Sequence, residues 1–132
     1  MNAIVARYTD GRVVKGITSD FLPAKDRFHL LVDGSPPGTR AIEILIADLK
    51  AVFFVKDLVG SPQHSERNQF DPVKPPVGKK IRVVFNDGEV VVGTTQGYQL
   101  GRPGFFLVPA DEKSNNNRCF VVVSATKEVT LL

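Results

Sequence analysis

Two copies of one pattern fill most of this sequence, and the internal repeat constrains the fold more than any other feature. Residues 4–55 align with residues 81–132 at a constant offset of 77 positions, without a gap and with 11 identities in 52 positions. The identities fall at turns and apolar positions, for example Asp10-Gly11 with Asp87-Gly88 and Phe28 with Phe105. A repeat of this kind indicates that each copy forms the same structural unit, and we interpret it as a duplication.

The segment between the copies differs from both in composition. Residues 57–78 contain four prolines and two glycines among mostly polar residues. Proline fixes φ and lacks an amide donor, so neither a helix nor a central strand is expected here. We therefore divide the chain into a first copy (1–56), a linker (57–78) and a second copy (79–132).

Each copy has the pattern of five short strands. Apolar and polar residues alternate along 4–8 and again along 81–85, the period of a half-buried strand, and both runs end at an Asp-Gly pair. That pair favours a tight hairpin with both central residues at positive φ. Only four residues in the first copy and five in the second separate the fourth strand from the fifth, enough for a single 3₁₀-type turn. The remaining predicted strands are 12–21, 28–32, 41–46 and 51–55 in the first copy, and 89–98, 105–108, 119–123 and 129–132 in the second.

A glycine stands at the same place in both second strands, Gly16 and Gly93. Glycine inside a strand marks a sharp bend or a close backbone approach, and in a small barrel such a bend lets one strand serve two sheets. No window of the sequence has convincing helical periodicity. We therefore predict an all-β chain of two tandem five-stranded SH3-like or Sm-like small barrels.

The alternation also predicts the core. The inward positions in the first copy are Ile4, Tyr8, Val14, Phe28, Leu30, Ile44, Ile46, Val52 and Phe54, and those in the second are Ile81, Phe85, Val91, Phe105, Leu107, Val121, Val123, Val129 and Leu131.

Strands 41–46 and 51–55 are apolar on both phases, so one phase needs cover from outside its own barrel. We predict that the copies pack face to face or edge to edge as a pseudo-two-fold pair. The residues expected at this contact are Leu45, Phe53, Phe120 and Val122. Any apolar surface left over is expected to drive homodimerisation.

Each copy resembles the Sm-like group of small bent-strand barrels. The resemblance rests on DGRVVKGITSDF, FHLLV and ILIADLKAVFFV in the first copy and on DGEVVVGTTQGY, FFLV and VVVSATKEVTLL in the second. Gly16 and Gly93 match the bend glycine of that group, and Asp20 matches the polar residue before its next loop. The resemblance implies ring assembly and binding of single-stranded RNA, although His29 and Phe106 stand where the group has asparagine. The first copy also resembles a group of uncharacterised bacterial proteins with the DGRV-KG and LKAVFFV patterns.

Residues able to do chemistry are few and scattered. His29 lies in an apolar strand and is expected in a barrel core, His64 lies in the linker, and Cys119 lies in the apolar run CFVVV. Isolated groups of this kind are usually core or solvated residues rather than catalysts or ligands. No Cys-x-x-Cys, His-Glu-x-x-His or calcium-loop spacing occurs. We predict a chain that is not an enzyme, with no catalytic residue, no metal and no cofactor.

One loop has a pattern typical of nucleotide sensors. Residues 33–38, DGSPPG, fit the D/N-x-S-x-x-G pattern of PilZ domains, which bind cyclic di-GMP. Those domains add an R-x-x-x-R arm, whereas Arg7 and Arg12 are five positions apart. A plain turn is therefore the preferred interpretation of the loop.

Composition narrows the remaining function classes. The net charge of +3 is too small to indicate nucleic acid by itself. The longest apolar run, Ala51–Val55, is far below the roughly 20 residues of a membrane span, and no signal peptide is recognisable. We predict a cytoplasmic interaction or regulatory module with a protein partner. The alternative is an Sm-like module for single-stranded RNA, and the third candidate is a PilZ-like cyclic-dinucleotide sensor.

Overall fold

The chain folds as an all-β protein, and the computed structural model describes residues 1–58, 78–98, 101–111 and 114–132. Most of the predicted linker, with His64, lies outside the described residues. The strands of the first half are β1 (Asn2–Tyr8), β2 (Val13–Thr18), β3 (Arg27–Val32), β4 (Ile42–Leu45) and β5 (Leu49–Val55). Those of the second half are β6 (Lys79–Phe85), β7 (Val90–Thr95), β8 (Gly104–Pro109), β9 (Asn116–Val122) and β10 (Thr126–Leu131).

Short 3₁₀ turns connect the fourth strand of each half to the fifth. They span Ile46–Asp48 and Val123–Ala125, so the prediction of a 3₁₀-type turn at both places is confirmed. Within the described ranges, no helix is long and apolar enough to cross a membrane.

All ten strands belong to one sheet, in the order β10-β6-β7-β8-β9-β5-β1-β2-β3-β4. The register of the second half follows that of the first at the offset of 77: Phe28 lies opposite Ile44, and Phe105 lies opposite Val121. The halves meet where β5 pairs with β9, so the fifth strand of one half joins the fourth strand of the other. The predicted pseudo-two-fold arrangement is therefore wrong, because unlike edges meet head to tail. Among the described residues, this leaves β4 and β10 as the two free edges of the sheet.

The first hairpin of each half differs from the predicted two-residue turn. Gly11 and Gly88 have φ of 95° and 93°, whereas none of the described non-glycine residues has a positive φ. The amide of Gly11 donates to the carbonyl of Tyr8 at 3.1 Å, and the amide of Tyr8 donates to the carbonyl of Arg12 at 2.9 Å. The turn therefore has three residues with glycine last, a type I turn followed by a bulge.

Two hydrophobic clusters form the core, and most predicted core residues are buried in them. Tyr8, Val14, Val123 and Val129 are only partly buried. The prediction is wrong for Leu131, which is 49% exposed. Leu131 lies on β10, the last strand of the sheet, so no further strand covers it.

Gly16 and Gly93 lie at equivalent close backbone contacts, as predicted. A Cβ atom on Gly16 would overlap the carbonyl oxygen of Leu31, and a Cβ atom on Gly93 would overlap the carbonyl oxygen of Val108. In both halves, therefore, the second strand passes the third at a distance that only glycine permits.

Candidate functional site at the seam between the halves

We call the β5–β9 pairing, with the side chains that cover it, the seam. Every residue of β5 is buried, which is unusual for a strand that ends a five-stranded unit. Ala51, Phe53 and Val55 pack into the cluster of the second half, whereas Val52 and Phe54 pack into the cluster of the first half. Because successive side chains of a strand point to opposite faces, one strand serves both cores.

The fourth strand of the second half makes the reciprocal contribution. Phe120 and Val122 of β9 pack into the cluster of the first half, whereas Cys119 and Val121 pack into their own. Each core is thus completed by side chains from the other half. Separating the halves would expose both cores to water, so we expect the described chain to unfold as one unit.

The seam contains three of the four residues predicted at the contact. Phe53 lies opposite Cys119 and Phe120 lies opposite Val52, while Val122 ends β9. Leu45 lies outside the seam, on the free edge β4. It pairs with Arg27 of β3 and is partly solvent-exposed. Its position follows from the head-to-tail join, which uses the fourth strand of the second half but not that of the first.

An aromatic cluster packs across the seam. The ring of Phe21 lies edge-on to Phe54 and Phe120, each with a centroid distance of 5.2 Å, and 6.1 Å from the ring of Phe106. The guanidinium of Arg118 lies over Phe54 at 4.4 Å and over Phe106 at 4.3 Å, within cation–π distance. The sequence signal for this cluster is the pair Phe105-Phe106, which makes β8 apolar on both phases.

A buried lysine on β5 also connects the two halves. Lys50 is only 9% exposed, and its ammonium group donates hydrogen bonds to Asp87 at 2.7 Å and to Glu89. It also lies 4.7 Å from the ring centroid of Phe85. The hydrogen bond from Lys50, together with one from the amide of Glu89, lowers the pKa of Asp87. The β6–β7 hairpin of the second half is therefore held to the last strand of the first by a charged contact.

A cleft of about 580 Å³ opens between the halves, and matching loops of the two copies line it. Ile46, Ala47, Pro103, Val122 and Val123 form its apolar walls. Lys25, Asp26 and Arg102 lie among the other lining residues, and Lys25 and Arg102 are equivalent positions of the repeat.

The three charged residues of the cleft differ in their neighbours. Asp26 forms an ion pair with Arg27 at 3.1 Å, and this contact lowers the pKa of Asp26. Within the described part of the chain, the side chains of Lys25 and Arg102 form neither a hydrogen bond nor an ion pair. The cleft thus combines an apolar lining with two cations that lack a carboxylate partner.

A polar network lies on the outer face of β3 and β4. The equivalent positions of the second half hold the aromatic rings of the seam. Asp20 accepts a hydrogen bond from the amide of His29 at 2.9 Å and lies 2.7 Å from its Nδ1 atom, and the amide contact lowers the pKa of Asp20. Glu43 lies 3.4 Å from Arg27 and 4.0 Å from Nε2 of His29. The expectation that His29 lies in a core is wrong, because half of its side chain is exposed. The expectation that Cys119 is a core residue is confirmed.

The described ranges contain no group of three or more His, Cys, Asp or Glu side chains placed to bind a metal ion. No curated protein and no solved structure matches the chain. One family model matches, and it covers residues 1–132. The chain therefore belongs to the DUF6982 family, a family of unknown function.

Proposed function

We propose that this chain is a non-enzymatic interaction module, two SH3-like small barrels joined edge to edge, which binds a protein partner in the cleft at the seam. The observation that carries the proposal is the cleft itself, with apolar walls from both halves beside the unpaired cations Lys25 and Arg102. A volume of about 580 Å³ lies in the range of specific ligand sites. The tandem arrangement has a direct use here, since neither half alone supplies both walls.

The chemistry of the cleft favours an extended acidic peptide with apolar side chains. Ala47 on one wall and Pro103 on the other are exposed, and the partly buried Val123 adds to the second wall, so both walls offer apolar surface to aliphatic side chains. Lys25 and Arg102 would pair with carboxylates, and charge complementarity of this kind directs encounter and sets orientation. The occupant we propose is therefore a segment with alternating acidic and apolar residues.

Single-stranded RNA is the second candidate, from the Sm-like resemblance, and it fits the cleft less well. Proteins that bind single strands combine cations with aromatic rings on which bases stack. Among the described residues, those that line the cleft include two cations but no aromatic side chain. Two aromatic residues of the seam, Phe54 and Phe106, pack against Arg118 instead.

A cyclic dinucleotide is the third candidate, and it has less support. The arginines that resemble a PilZ arm have other contacts: Arg7 lies over the ring of Phe53 at 5.5 Å, and Arg12 pairs with Asp10 at 2.8 Å. The loop at 33–38 forms turns with Gly34 and Gly38 at positive φ, which accounts for its glycines without a ligand.

Fluorescence anisotropy tests the proposal with four labelled probes: a peptide of alternating glutamate and leucine, the same peptide with lysine for glutamate, an oligouridine, and cyclic di-GMP. We expect only the acidic peptide to bind to the wild-type chain. The double variant Lys25→Glu/Arg102→Glu should bind it at least about tenfold more weakly, because both cations become anions. The matched control is Arg40→Glu, an exposed arginine outside the cleft, which should retain wild-type affinity.

Chemical-shift mapping by NMR localises the binding. Addition of the acidic peptide should shift the amides of Ala47 and Val123, which line the cleft, and leave those of β7 unchanged. Absence of peptide binding contradicts the proposal, as does binding that survives the double charge reversal. Oligouridine binding lost in the same double variant would favour the RNA candidate.

A further inference from the structure

The two free edges of the sheet differ chemically from the edges that meet at the seam. By the offset of 77, β10 is the counterpart of β5, and β4 is the counterpart of β9. On β5 the residues that enter the partner core are Ala51, Phe53 and Val55, all buried. Their counterparts are Glu128 and Thr130 on β10 and Leu132 directly after it. Two of three apolar positions have thus become polar on the free edge.

The opposite edge has changed in the same way. At the seam, Phe106 and Phe120 pack with the first half, and Phe120 is 1% exposed. Their counterparts on the first half are His29 and Glu43, whose side chains are about half exposed. In the second half these two positions hold phenylalanines that cover the core of the first half. In the first half the same positions belong to a hydrogen-bonded, charged network at the surface.

The hairpin between β1 and β2 also has only one of the two acids that the equivalent hairpin of the second half presents at the seam. At the seam Lys50 binds Asp87 and Glu89; the equivalent residues for a second seam are Lys127, Asp10 and Arg12. Arg12 replaces an acid by a base and occupies Asp10 in an ion pair at 2.8 Å. A lysine brought to this hairpin would therefore meet a cation beside an already paired carboxylate.

We infer that the head-to-tail join is made once within the chain, and that polar substitutions close β4 and β10 to the same join between chains. A join of unlike edges can propagate from molecule to molecule, because every added copy presents a new edge. Charged residues on an edge strand stop such pairing, since pairing would bury them. The homodimer expected from the sequence would therefore need another surface. This inference does not depend on what the cleft binds.

The repeat also gives the register that a second join would adopt. At the seam, Ala51 lies opposite Val121 and Val52 opposite Phe120. The equivalent pairs between two chains are Glu128 with Ile44, and Val129 with Glu43. In this register both glutamates would leave water for an apolar environment. Glu43 would keep its contact with Arg27, whereas Glu128 forms no ion pair with a described residue and would lack the cation that a buried carboxylate needs.

Restoring the seam residues on the free edges tests the inference. One variant carries Arg12→Glu, His29→Phe and Glu43→Phe on the β4 side, and a second carries Glu128→Ala and Thr130→Phe on β10. Each alone should sediment with the same mass as the wild type, whose single chain is 14.5 kDa, since the opposite edge stays closed. An equimolar mixture should give a species of about twice that mass and no larger, because one open edge of each kind is then present. A chain with all five substitutions should form longer assemblies.

Circular dichroism and burial of the Cys119 thiol check that each variant is folded. A folded mixture that remains monomeric overturns the inference, as does self-association of either single-edge variant to the extent of the mixture. Hydrogen exchange of the wild type gives a test that needs no variant. We expect the amides of Ile42–Leu45 and Thr126–Leu131 to exchange at the same rate at low and high protein concentration. Protection of both segments that grows with concentration would show that the wild-type edges do pair.

Discussion

The ammonium group of Lys50, on the last strand of the first half, lies 2.7 Å from the carboxylate of Asp87, in the first hairpin of the second half. Lys50 is nearly buried, whereas the side chains of Asp87 and Glu89 are about half exposed. The side chain of Lys50 is thus largely removed from water and contacts two acids at the rim of the seam. A buried cation without its acids would be costly, so this contact ties the position of the hairpin to the join of β5 with β9.

The substitution Asp87→Asn should weaken the fold at neutral pH and have less effect in acid. The pKa of Asp87 is lower in the folded chain than in the unfolded chain. Its contribution to stability is therefore complete above the unfolded pKa of about 3.9 and declines as the pH falls through the folded pKa. Because the acid is half exposed, we expect a loss of about 0.5–1 kcal/mol at pH 7. Urea unfolding at pH 7 and near pH 3 measures the difference.

A double-mutant cycle isolates the pair. In a Lys50→Met background, the effect of Asp87→Asn on the unfolding free energy should depend less on pH, since the hydrogen bond from Lys50 is gone and only the one from the amide of Glu89 remains. A pH-dependent effect of the same size in that background would show that Asp87 is stabilised by another group.

Phe53→Glu should unfold much of the chain at 25 °C. Phe53 is 7% exposed and packs into the core of the second half, so the substitution removes a ring and buries a carboxylate. We expect a loss of at least about 3 kcal/mol, a large part of the stability of a small protein. Thr130→Glu is the matched control, because it places the same charge at the equivalent position of the free edge; its cost should stay within about 0.5 kcal/mol. Thermal melts that rank the two variants equally would contradict the assignment of Phe53 to the seam.

The single cysteine reports on opening of the seam. Cys119 is 1% exposed and lies opposite Phe53, so a thiol reagent can reach it only when β5 and β9 separate or the chain unfolds. Native protein should react far more slowly than protein in concentrated urea. At pH 7 the Asp87→Asn variant should react about two to five times faster than wild type, the factor that corresponds to about 0.5–1 kcal/mol. Equal rates for native and unfolded protein would contradict a closed seam.

Local pattern predicts the strands and cores well, because alternation depends only on which face of a strand is buried. It does not determine which strands from different copies pair. Leu45 and Val122 are equivalent apolar residues on the fourth strands, yet only Val122 lies in the seam. The information that separates them lies in differences between the copies, such as Phe120 against Glu43, rather than in the identities that reveal the repeat.

The cleft could not be predicted for a related reason. Its two cations, Lys25 and Arg102, lie in loops far apart in sequence, and they come together only because the halves join head to tail. The length of the first hairpin turn in each half also differs from the prediction. An Asp-Gly pair fits two hairpin geometries, and in this chain the carboxylate of Asp10 accepts the amide of Arg12 at 3.0 Å in the longer turn.

Valine in place of Gly16 or Gly93 should destabilise the protein by clearly more than the roughly 1 kcal/mol that separates glycine from other residues by propensity. In each case the new Cβ atom would overlap a carbonyl oxygen of the neighbouring strand, that of Leu31 or of Val108, so the second strand must move away from the third. Gly97→Val is the matched control, because a Cβ atom there meets nothing within 4 Å and the glycine does not have a positive φ. Urea unfolding of the three variants beside wild type measures the effect. Gly16→Val and Gly93→Val should both lose stability, since the same contact occurs in each half and the halves share their cores. If either variant unfolded at the same urea concentration as Gly97→Val, the close contact in that half would not limit the fold.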